Sequence, residues 1–319
     1  MTSFVPRRAA LVAALGLLPA ACGGADASST ASTGAQTATR AASTTQGGTT
    51  HGTTAQAAAS CPAAGLRDVP GGLLRMPANA RPGRTPLLVV VIPGGQGDRR
   101  DRLGVGAPAN AEGVAVLYPT SPGSTFWQLN DAFGTSDVTA VTALLDGQQA
   151  TGCFDPDRVS ITGVSNGAGF AARMGCELPT RFAAVIPVAA GYRALDPCPA
   201  NARASFLDIH GTADTVVPIN GKKPDRKGNV ARYATGWARR VGCSATPRSS
   251  RPGRLVTRFR YTGCDSGIRV ERVRLSGTEH GWPGSRFGPG GRPPSPNPSR
   301  FSATREVLRF IRTARRPAS

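Results

Sequence analysis

Apolar positions along this chain fall into two alternating patterns, short continuous runs and helically spaced pairs. Leu87 to Ile92 is an unbroken β-prone run that stops at Pro93-Gly94-Gly95, which predicts a buried strand opening into a loop. Val114 to Tyr118, ended by Pro119, repeats that pattern. Arg158 to Thr162, Ala184 to Val188, Ser205 to His210, Leu255 to Tyr261 and Arg269 to Leu275 read as further strands. Helical spacing appears in Val138, Val141, Leu144 and Leu145, behind a cap at Thr135 or Ser136. It recurs from Phe170, Ala171 and Met174 to Leu178, in Ala231 to Val241, and in Val307, Leu308 and Ile311 within Ser302 to Arg315. Strands alternating with helices predict an α/β domain with a mainly parallel central sheet and helices on both faces. Sites in such sheets form beyond the C-terminal ends of the strands. Residues 283–300, rich in Pro, Gly and Arg, read as a surface loop.

The N-terminal stretch does not share these patterns. Arg7 and Arg8 precede an apolar run from Ala9 to Ala20, too short to span a bilayer comfortably. The run ends in Leu18-Pro19-Ala20-Ala21-Cys22-Gly23-Gly24, which resembles a lipoprotein processing site. Residues 1–22 are therefore expected to be a signal peptide with lipidation at Cys22. Residues 23–58 are Ser, Thr, Ala and Gly with few large apolar side chains, and they cannot offset their ordering entropy by burial. They read as a disordered tether that includes His51, leaving 59–319 as one catalytic-size domain. The expected location is extracellular or at the cell envelope, lipid-anchored to the membrane, with a monomeric body.

Charge and cysteines sharpen this reading. The net charge is +19, yet the cations are scattered, with no basic helix or stacking-aromatic motif, so a nucleic-acid partner is not expected. Attraction to anionic lipid or wall polymer is the better reading of the charge. With Cys22 lipidated, six of the seven cysteines remain, an even number that suits an oxidising compartment. Cys176 with Cys198 and Cys243 with Cys264 are close in sequence and flank single elements, which leaves Cys61 for Cys153. No Cys/His cluster has zinc spacing, and no metal is expected.

The sharpest chemical signal is Gly163-Val164-Ser165-Asn166-Gly167, set between a predicted strand and a predicted helix. A tight turn flanked by small residues can hold a serine exposed at the top of a sheet. A serine hydroxyl needs a base, and the chain has three histidines. His280, in Glu279-His280-Gly281-Trp282, lies on a loop soon after a strand and is the expected base. His210 ends a strand, and reads as a structural hydrogen bonder that shapes the acid's loop. Asp214, just past the same strand, is the expected acid, ahead of Asp208, Asp196 and Glu279. An oxyanion would need two N–H donors, for which Asn166 and Gly95 are the candidates, with Gly94 or Gln96 as alternatives to Gly95. Trp282 and Trp127 are candidates to line the substrate pocket.

These motifs, taken in order, resemble the polyhydroxybutyrate depolymerase/feruloyl esterase group of exported esterases with the α/β-hydrolase fold. The resembling segments are Leu87 to Gln96, Tyr118-Pro119, Asp155 to Val159, Gly163 to Gly167, Arg181 to Ala189, His210 to Pro218 and His280 to Gly284. Pro93-Gly94 stands where the group commonly has His-Gly, and Ala168 where it has a second glycine. The resemblance implies carboxylester hydrolysis through an acyl-serine, with Ser165, Asp214 and His280 as the triad and no metal or organic cofactor. It implies short-chain, hydroxyalkanoate or aryl (feruloyl- or acetyl-type) esters, small or polysaccharide-linked. An exported serine peptidase of the same fold and a non-catalytic envelope-binding lipoprotein are the competing expectations.

Overall fold

A computed structural model describes residues 60–317 apart from 96–97, 99–100, 124, 223–227, 266, 287 and 289–292. The expected signal peptide, Cys22, the tether with His51, and Gln96 lie outside the described residues.

The buried apolar runs form the middle of one ten-stranded sheet. Its strands in chain order are β1 (Gly65–Val69), β2 (Gly72–Met76), β3 (Thr85–Val91), β4 (Ala115–Pro119), β5 (Phe154–Val164), β6 (Ala184–Val188), β7 (Ser205–Gly211), β8 (Arg248–Gly253), β9 (Val256–Arg260) and β10 (Val270–Leu275). Their spatial order is β1-β2-β4-β3-β5-β6-β7-β10-β9-β8. The six central strands from β4 to β10 pair in parallel, and antiparallel pairs close both ends. The crossovers carry α1 (Gly106–Ala111), α2 (Ser136–Ala150), α3 (Asn166–Glu177), α4 (Val230–Arg240) and α5 (Ala303–Ile311).

Each face of the sheet has its own core, as a doubly covered parallel sheet requires. Leu87, Val89 and Val91 of β3 face one way, with Phe170 of α3 and Trp237 of α4. Leu88 and Val90 face the other way, with Val307 and Phe310 of α5. Among the described residues, no helix is long and apolar enough to cross a membrane.

Three expectations need adjustment. β5 begins at Phe154, before the expected Arg158, because its pairing with β3 shifts register between Thr85 and Leu87 and so accommodates Pro156. The last helix stops at Ile311 rather than Arg315. α1 was not expected, since it is six residues long and contains Gly and Pro. Its start is held by the Asp101 carboxylate, which accepts from the N–H groups of Val105, Gly106 and Ala107 at 2.8 to 3.1 Å.

The cysteines pair as Cys61–Cys153, Cys176–Cys198 and Cys243–Cys264, the three pairs expected from the sequence. They tie the start of the folded segment to β5, α3 to the loop after β6, and the end of α4 to the loop after β9. Such bonds fit an extracellular protein.

Candidate active site

Three strand ends in the central sheet converge on one site. β5 delivers Ser165, β7 leads to Asp214, and β10 leads to His280. His280 Nε2 lies 2.8 Å from Ser165 Oγ, and His280 Nδ1 lies 2.8 Å from Asp214 Oδ2. These residues are 115 and 66 positions apart along the chain, so only the fold brings them together.

The local sequence explains each placement. Ser165 sits at φ 57°, ψ −123°, a conformation that L-residues rarely adopt, and α3 begins at the next residue. This sharp turn is possible because the backbone of β3 passes close by. A Cβ on Gly163 or Gly167 would lie 2.6 or 2.4 Å from the Val91 carbonyl oxygen. His280 is brought to Asp214 by another close approach. A Cβ on Gly211 would lie 2.0 Å from the Thr278 carbonyl oxygen, which also accepts from Ala213 N–H at 3.0 Å. The loop carrying His280 therefore lies directly against the loop carrying Asp214.

Asp214 is buried and fully engaged. Its Oδ1 accepts from Val217 N–H at 2.7 Å, and its Oδ2 faces both His280 and His210 Nε2, the latter at 3.3 Å. Burial alone would push this carboxyl up. The hydrogen bonds from His210, His280 and Val217 outweigh it and hold the group well below the usual carboxylate range. The folded structure thus favours the carboxylate form of Asp214.

The oxyanion candidates occupy suitable ground. Asn166 is the first residue of α3, where backbone N–H groups lack intrahelical acceptors and the helix dipole is positive. Gly94 and Gly95 both adopt positive φ, 95° and 63°, at the end of β3. The Gly95 carbonyl accepts from Ser121 N–H at 2.7 Å, which fixes that loop against the one after β4.

The two tryptophans expected at the substrate pocket are both buried. Trp127 is 2% exposed, stacks on Phe170 at 4.7 Å and donates its indole N–H to the Ile92 carbonyl at 2.7 Å. Trp282 is 4% exposed and donates to Thr304 Oγ1 of α5 at 3.0 Å. An indole with its N–H satisfied inside the core anchors a loop rather than meeting a substrate. A cavity of about 440 Å³ is lined by Tyr192, Arg193, Val216, Val217, Pro218 and Lys222, the valine pair following shortly after Asp214 in the chain.

Arg173 was not anticipated from the sequence. This buried side chain on α3 donates to the carbonyls of Gln128, Asn130 and Gly134 at 2.9 to 3.0 Å and pairs with Asp131 and Glu177. It clamps the loop that carries Trp127, the residue bonded to Asn166, and nothing in its sequence context distinguishes it from the chain's many other arginines.

No protein-family model matches the chain. Among curated proteins it is 29% identical over 237 residues to NocK of Nocardia uniformis subsp. tsuyamanensis, whose name assigns it provisionally as an esterase. That match covers 64% of this chain and 67% of the relative. It is also 29% identical over 139 residues to feruloyl esterase B of Piromyces equi, covering 40% of this chain. A third relative is the bifunctional acetylxylan esterase/xylanase XynS20E of Neocallimastix patriciarum, 24% identical over 177 residues and 54% of this chain. The chain spans about a quarter of the length of these last two, 26% and 25%. Among solved structures, an acetyl xylan esterase from Aspergillus awamori superposes with TM-score 0.57 at 16% identity, covering 78% of this chain and 99% of that one. The fold is that of the α/β-hydrolases. Native Est2 of Thermogutta terrifontis, at TM-score 0.50 and 15% identity, covers 79% of this chain and 94% of its own.

Proposed function

We propose that this chain, a carboxylic ester hydrolase, works through an acyl-serine intermediate, with Ser165 as nucleophile, His280 as general base and Asp214 as the acid that orients it. The observation that carries this reading is the unbroken pair of 2.8 Å contacts from Asp214 through His280 to Ser165 Oγ. His280 takes the hydroxyl proton as Ser165 attacks the ester carbonyl, and Asp214 stabilises the imidazolium that forms. His280 then returns the proton to the leaving alkoxide. In the second half it activates water, which releases the acid and restores Ser165. The N–H groups of Asn166 and Gly95 meet the negative charge on the tetrahedral oxygen.

The substrates proposed are short-chain, aryl or hydroxyalkanoate esters, free or attached to polysaccharide. The names of the relatives, feruloyl and acetylxylan esterases, support the aryl and polysaccharide-linked classes. So does Val216, a large apolar side chain at 59% exposure that lines a cavity together with Val217, whose N–H holds Asp214, and an exposed apolar group there favours an apolar acyl or aryl group. The three disulfides support an extracellular setting, and a lipid anchor at Cys22 is part of this proposal.

The test is hydrolysis of p-nitrophenyl acetate and of methyl ferulate, with labelling by a serine-reactive phosphonate. Turnover and an adduct on Ser165, both lost in Ser165→Ala, are expected. A wild-type protein that neither turns over nor labels would overturn the reading. Gly95→Pro removes the second proposed oxyanion N–H, and normal turnover in that variant would exclude Gly95 from the role.

A further inference from the structure

Behind the acid lies a second imidazole that the reaction as derived does not use. His210 is 1% exposed and sits between two buried carboxylates, Asp208 and Asp214. Its Nε2 is 2.8 Å from the Val217 carbonyl oxygen and 3.3 Å from Asp214 Oδ2. Both neighbours can only accept, so Nε2 must carry hydrogen. On the other side, Nδ1 lies 4.0 Å from Asp208 Oδ2 and has no hydrogen-bond partner. A neutral ring with hydrogen on Nε2 would aim its Nδ1 lone pair at that carboxylate. An imidazolium would aim an N–H at it.

We infer that His210 is a positioning residue held as a buried imidazolium, which fixes the carboxylate of Asp214 and lowers the basicity of the Asp214–His280 pair. This inference rests on the reading of Ser165, His280 and Asp214 as a triad. Val217 makes the arrangement rigid, because its N–H holds Asp214 Oδ1 while its carbonyl holds His210. Among the charged groups around the ring, the two carboxylates favour a cation and the arginines of β10 oppose it. Asp208 and Asp214 come from β7 and the loop after it, and Tyr192 donates to Asp208 Oδ2 at 2.5 Å. From β10, Arg272 stands in register with Asp208 and Arg274 with His210. His280 faces the opposite side of Asp214. Burial pushes His210 down, but the bonds to Asp214 and the Val217 carbonyl, with the charges of Asp208 and Asp214, more than reverse this. A positive charge behind Asp214 partly cancels the negative field at His280. On this inference, turnover extends further into acid than it would with a neutral side chain at position 210.

The experiment uses the full chain, which has three histidines, so each ring can be followed separately. Long-range proton–nitrogen spectra report the protonation of every ring nitrogen, and the His210 signals are those missing in His210→Gln. The glutamine keeps a neutral N–H near the position of Nε2 and removes the charge. His210 is expected to carry hydrogen on both nitrogens throughout pH 5 to 8. In His210→Gln, the acid limb of kcat/KM for p-nitrophenyl acetate should move up by about one pH unit, together with the titration of His280. A merely structural role would lower thermal stability and leave both where they were. A wild-type His210 with Nδ1 unprotonated at neutral pH, or an unmoved His280 titration in His210→Gln, would overturn the inference. Should the variant fail to fold, the wild-type spectrum alone decides. Those spectra need no turnover, so an inactive wild type would count against the proposed function and leave His210's protonation still readable.

Discussion

The side-chain amide of Asn166 is bonded on both edges to the backbone of Trp127. Trp127 N–H donates to Oδ1 at 2.8 Å, and Nδ2 donates to the Trp127 carbonyl at 3.1 Å. One residue thus supplies a backbone N–H beside the nucleophile and, with its side chain, ties down the neighbouring loop. The two roles can be separated. Asn166→Ala keeps the N–H and loses the clamp, leaving two backbone groups of Trp127 without these partners. The variant should lose about 1–3 kcal/mol of stability, read by urea denaturation, yet still be labelled at Ser165 by a phosphonate. Asn166→Asp should do worse, because a carboxylate oxygen would then face the Trp127 carbonyl.

Ser165 holds a backbone conformation that costs an L-residue energy, with φ at 57°. Glycine adopts that region freely, although it also adds freedom to the unfolded chain. Strain relief should be the larger effect, so Ser165→Gly is expected to be inactive and more stable by roughly 1 kcal/mol. Ser165→Ala keeps the strain and should melt close to wild type. Paired thermal melts of the two variants check this, and equal melting temperatures would mean that the turn stores no strain.

The contrast between Ser165 and Trp127 shows what could be read from the sequence and what could not. The serine was legible because its turn imposes a local rule, small residues on both sides between a strand and a helix. His280 was legible by elimination, since three histidines leave few choices. The parallel strands β3, β5 and β6 announced themselves because burial on both faces makes continuous apolar runs. The burial of Trp127 and Trp282 is not legible in the sequence, because the direction of an indole depends on partners distant along the chain, Ile92 and Thr304. β1, β2 and β8 passed unnoticed for a related reason. They lie at or next to the ends of the sheet, where β8 reads Arg-Ser-Ser-Arg-Pro-Gly and shows no apolar pattern at all.

Arg258 sits between two carboxylates under α5. Its Nη1 is 2.6 Å from Glu271 Oε2 and 2.6 Å from Glu306 Oε1, and the arginine is 7% exposed. Arg309 approaches the same pair from the surface, at 3.3 and 2.6 Å. Burial pushes Glu306 up, but the bonds to Arg258 and Arg309 outweigh it and hold the carboxyl below its usual range. Replacing Arg258 with Met leaves two buried carboxylates with the half-exposed Arg309, and with Arg260 at 3.7 Å from Glu271, as their ion-pair partners among the described residues. The expected cost is about 3 kcal/mol in urea denaturation at neutral pH, shrinking in acid as Glu306 takes up a proton. A loss of under about 1 kcal/mol would mean that Arg309 or water suffices.

Asp214→Asn tests the other end of the proposed triad with almost no change in shape. The carboxylate faces three donors, Val217 N–H, His210 Nε2 and His280 Nδ1. An amide has one accepting oxygen, so its NH₂ must meet a donor. If that donor is His280, the ring is driven to carry hydrogen on Nε2, which can then no longer take the proton of Ser165. Turnover of p-nitrophenyl acetate should fall by about 10⁴, the size of loss known for such a change in serine hydrolases. Stability has its own signature. The carboxyl is depressed in the folded state, so its contribution is fully present above the unfolded value of about 3.9 and is lost as pH falls through and below it. The variant should therefore be weaker than wild type at pH 7, with the gap narrowing as pH falls below about 3.9 and closing only below the depressed value of the folded carboxyl. Turnover within tenfold of wild type, together with parallel stability curves across that range, would remove Asp214 from the role given to it.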